Sequence, residues 1–143
     1  MTGKADFTDE EWNVVREGPP TAGMIVLVSS KGGSFRETWA LAKTFAEARQ
    51  QQSESELLDA LVADKPDTPR FHSPEEAETQ GLEKLRQAVA LIQQKGTPED
   101  LEGYKSFVRE VARRVAEAHK EDGVDAVSTG EQEAISKIDS ALG

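Results

Sequence analysis

The sequence predicts an all-α chain, a single compact domain of six or seven helices over residues 1–143, with residues 1–6 as a loose tail. Three observations carry that prediction. Leu101, Tyr104, Val108, Val111, Val115 and Ala118 recur at alternating spacings of three and four. This is one apolar stripe on a helix, widened by Phe107, Ala112 and Ala116. Helix-start signals recur along the chain, and no run of alternating strands accompanies them. At 143 residues, 36% hydrophobic and 31% charged, the chain is long enough to bury a core and polar enough to stay soluble.

The first helix opens at Thr8-Asp9-Glu10-Glu11. Thr8 caps the backbone, and Glu11 can return to the Thr8 N–H. Phe7, just before the cap, can staple onto Trp12. The helix carries Trp12 and Val15 and is expected to stop at Gly18-Pro19-Pro20, since proline lacks a donor and restricts the residue before it.

Met24-Ile25-Val26-Leu27-Val28 follows, short, continuous and partly β-branched. Periodicity does not separate a buried strand from a buried helix over so few residues. Ser34-Phe35-Arg36-Glu37 opens the next helix, reaching to about Gln52, with Trp39, Ala42 and Ala46 on one stripe and Leu41, Phe45 and Ala48 beside it. This helix and the long one from Leu101 to Lys120 are expected at the centre. Ser53 to Ala63 reads as a short helix with Leu57, Leu58, Leu61 and Val62, and Asp64 to His72 as a proline-bearing loop.

Ser73-Pro74-Glu75-Glu76 is a strong start: a cap, a proline at the first helical position, then carboxylates at the positive end of the dipole. The helix turns Leu82, Leu85, Val89 and Ile92 inward and ends at Gly96. Thr97-Pro98-Glu99-Asp100 repeats the signal for the long helix, so the pair reads as a helical hairpin. After Glu121-Asp122-Gly123 comes a closing helix with Ile135, Ile138 and Leu142. Ser128 with Glu131 and Thr129 with Gln132 both make capping boxes at its start.

The composition narrows the function classes. Without Cys there is no disulfide and no thiolate zinc site, and a cytoplasmic location is expected. His72 and His119 have no metalloprotease spacing. The run Met24–Val28 is too short to span a bilayer, and Lys4 followed by acids is no signal peptide. A net charge of −10 opposes nucleic-acid binding. Arg109, Arg113 and Arg114 do sit together, which reads as a solvated helix face rather than a phosphate patch. No Ser/His/Asp or Cys/His set is visible, and no carboxylate pair stands out for acid–base work. Tyr104, Phe107, Trp12 and Trp39 are read as core.

Ile25 to Ser34 followed by a helix resembles the Lys-Gly-Gly phosphate loop of ParA/MinD-type ATPases, at Lys31-Gly32-Gly33-Ser34. Such loops surround phosphate with backbone N–H groups at a helix N-terminus. That family continues Gly-Lys-Thr. This chain continues Phe35-Arg36-Glu37, without the phosphate-binding lysine and with a carboxylate in its place.

If the segment is helical, a different resemblance emerges. Ala22 to Ala48 reads helix, Lys-Gly-Gly loop, capped helix. Val108 to Leu142 reads helix, Glu-Asp-Gly loop, capped helix. This duplicated unit is similar to that of the tellurite-resistance TerB-like family, small all-α bacterial proteins whose helices bracket two acidic loops. The resemblance covers about half of the chain. It implies a TerB-like helical bundle and a non-catalytic interaction or scaffold role related to stress response, with a protein partner. It also implies divalent metal at the acidic loops. The first loop here has lost its acids, so the implied metal ligands are Asp122, Asp125 and Glu131 of the second. They would hold a cation such as calcium weakly, because the spacing is not that of an EF-hand.

Overall fold

The computed structural model describes residues 6–29, 35–50, 60, 61, 63, 73–121 and 129–143. They form five helices: α1 (Asp9–Ser29), α2 (Phe35–Gln50), α3 (Pro74–Lys95), α4 (Pro98–Glu121) and α5 (Thr129–Leu142). Residues 60, 61 and 63 are also helical, and Leu61 is buried. The described residues contain no strand, so the chain is all-helical there. Among them no helix is long and apolar enough to cross a membrane.

Three helix starts match their sequence signals. Thr8 Oγ1 accepts from the Glu11 N–H at 3.1 Å, and Glu11 accepts from the Thr8 N–H at 2.9 Å. The Phe7 and Trp12 rings lie 5.9 Å apart, closing the staple. Ser73 caps α3 by accepting from the Glu76 N–H at 3.1 Å. At α4, Thr97 Oγ1 accepts from the Asp100 N–H at 3.1 Å while Asp100 accepts from the Thr97 N–H at 3.3 Å.

The first helix does not stop at Gly18-Pro19-Pro20. α1 runs through both prolines to Ser29 as one helix of 21 residues. The first expected helix and the segment left open between strand and helix are therefore one helix, and Met24–Val28 is helical. A proline φ suits a helix, and what proline removes is the N–H that would bond four residues back. Pro19 leaves the Val15 carbonyl without its helical donor. The buried Tyr104 hydroxyl of α4 donates to that carbonyl at 2.8 Å. Gly18 has no Cβ to clash with the Pro19 ring, so the restriction before proline is relaxed. Residues 18–23 are all buried, and that packing holds the irregular stretch helical.

The centre of the molecule also differs from expectation. α1 packs most extensively on α3 and then on α4, more than α3 and α4 pack on each other. α3 and α4 are joined through Gly96 and Thr97 alone, and α1 packs against both. Close approach is possible at Gly81 of α3, where a Cβ would fall 2.8 Å from Ile25 Cδ1 and 3.0 Å from Thr21 Cγ2. Among the described residues α2 packs mainly on α4 and little on α1. Its inner side is Thr44 and Phe45, whereas Ala42 and Ala46 of the expected stripe are exposed. The Phe45 ring meets Phe107 edge-on at 5.3 Å. A phenyl ring removes far more apolar surface from water than two alanine methyls, so the ring decides which side faces inward.

Elsewhere the apolar stripes lie where their spacing puts them. Leu82, Leu85 and Ile92 of α3 are buried, with Val89 packed at the margin. Tyr104, Phe107, Val108, Val111, Ala112, Val115 and Ala116 of α4 are buried. Ile138 and Leu142 of α5 join them, Ile135 lies at the edge, and Trp12 is buried in α1. The side chain of Trp39 lies outside the described residues.

Ion pairs bind the helices at their exposed seams. Glu17 and Lys84 join α1 to α3 near their middles at 3.2 Å, and Glu11 and Lys95 join the same two helices where α1 begins and α3 ends. Glu78 and Lys137 join α3 to α5 at 2.6 Å. Partly exposed pairs of this kind contribute modestly to stability.

Candidate functional site

An open cleft of about 410 Å³ lies between α4 and α5. Ser106, Arg109, Glu110 and Arg113 line it from α4, spaced so that they share one flank beside the buried stripe. Ile135 and Asp139, one turn apart, line it from α5. Ile135 is half-buried and supplies the apolar part of the wall. Arg109 Nε donates to Asp139 Oδ1 at 2.8 Å and ties the two walls together.

The three arginines grouped in sequence are distributed to different partners. Arg109 reaches across to Asp139 on α5. Arg114 pairs with Glu47 on α2 and with Glu110 at 3.4 Å. Arg113 stays on α4, 4.0 Å from both Glu110 and Glu117. Partial burial works against the Arg114 charge, but Glu47 and Glu110 outweigh it and hold the guanidinium above its ordinary range. Four carboxylates thus face three guanidinium groups. The face concentrates no positive potential of the kind that phosphate recognition requires.

The residues singled out for chemistry stand apart from this cleft. Lys31, Gly32, Gly33 and Ser34 lie outside the described residues, as do Asp122, Asp125 and His72. Glu131 is the third residue of α5, and its side chain lies outside the described set, as does that of His119 in α4. Among the described residues no group of three acidic or histidine side chains is arranged to hold a metal ion. Tyr104 is buried, and burial pushes its hydroxyl well above the usual phenol range, so it acts as a neutral donor.

Sequence reasoning did not single out Ser106, Ile135 or Asp139 as a group with Arg109. Arg109 and Asp139 are separated by 30 residues, and no local spacing marks such a pair. The available signal was weaker: an Arg and an Asp on the outer flanks of two successive amphipathic helices. The cleft presents the half-buried Ile135, rimmed by charged side chains of both signs. Compared with protein-family models, curated proteins and solved structures, the chain shows no match.

Proposed function

We propose that the chain is a non-catalytic helical interaction module, similar in kind to TerB-like stress-response proteins and acting through a protein partner in the cytoplasm. The observation that carries this reading is the helical course of Met24–Val28 within α1. The two functional readings divide on that segment. A ParA/MinD-type phosphate loop is fed by a strand, whereas the TerB-like unit is fed by a helix.

Helix followed by short link and helix occurs at α1–α2 and again at α4–α5, which supports the duplicated unit. In this reading the α4–α5 cleft is the contact face. Asp122, Asp125 and Glu131 hold a divalent cation such as calcium weakly or leave it to solvent.

The test uses two arms. A photo-crosslinking residue at exposed Ser106 should capture a discrete partner in the source cell, and one at exposed Gln93 on α3 should not. Titration calorimetry with ATP at roughly millimolar concentration should give no binding heat. Micromolar ATP binding that disappears in Lys31→Ala would replace this reading with a nucleotide-binding one.

A further inference from the structure

We draw no further inference here: the strongest candidate, the cleft between α4 and α5 lined by Arg109, Arg113, Ile135 and Asp139, has its charges already paired within the chain, and nothing in the structure shows what covers it.

Discussion

The Tyr104 hydroxyl donates to the Val15 carbonyl at 2.8 Å, at the place where Pro19 removes the backbone donor that a helix would otherwise supply. A side chain of α4 thereby supplies the donor that Pro19 lacks. The contact requires Gly18, because a Cβ there would lie 1.8 Å from the Tyr104 oxygen. Val15, Gly18, Pro19 and Tyr104 form one unit at the meeting of α1 and α4.

Removing the hydroxyl tests that unit. Tyr104→Phe keeps the ring and leaves a buried carbonyl without a donor, which costs about 1–3 kcal/mol. The urea midpoint should fall with an unchanged slope. An unchanged midpoint would mean that the bond contributes nothing.

Restoring the backbone donor should cancel part of that loss. In Pro19→Ala the new N–H can bond Val15, so Tyr104→Phe should cost at least about 1 kcal/mol less in that background. Strict additivity of the two substitutions would separate the hydroxyl from the proline.

Glycine substitutions report the close approaches. In an exposed helix Gly→Ala stabilises by about 1 kcal/mol. Gly18→Ala should reverse that sign, because it must displace a fully buried ring and adds a Cβ before proline. Gly81→Ala should lose less, since its nearest neighbour is the flexible end of Ile25. Thermal melts that ranked Gly81→Ala as the more damaging of the two would contradict the packing described here.

Two ion pairs give stability opposite pH windows. The Lys95 hydrogen bond, then that from the Thr8 backbone, holds the Glu11 carboxyl below its ordinary range. Its folded pKa is thus below its unfolded one. The contribution is present above the unfolded value and is lost as pH falls through the folded one. The Glu78 hydrogen bond holds Lys137 above its ordinary range, so that contribution is present below the unfolded lysine value and is lost as pH rises through the folded one. Glu11→Gln should melt lower than the parent near neutrality and converge with it as acid is added, whereas Lys137→Gln should converge at high pH. A difference that stays constant with pH would remove these pairs from the stability account.

Much of the helical content was legible in the residues. The pairs Thr8 with Glu11, Ser73 with Glu76 and Thr97 with Asp100 announce their helices because capping is a contact between near neighbours. The α4 stripe was legible because burial imposes a period. What was not legible rested on distant partners. The continuity of α1 through Pro19 and Pro20 depends on Tyr104, 89 residues from Val15. The inward side of α2 depends on Phe107, and the α4–α5 cleft depends on Asp139 meeting Arg109. Local rules correctly register the penalty of a proline pair and have no means of seeing a donor supplied by another helix.

The course of α1 itself is the most direct point of test, because the functional reading rests on it. Backbone carbon chemical shifts in solution should be helical from Asp9 to Ser29, with sequential amide contacts continuous from Thr21 through Val28. Extended shifts at Met24–Val28, with contacts to a neighbouring strand, would contradict a single helix and restore the strand that a phosphate loop at Lys31–Ser34 requires.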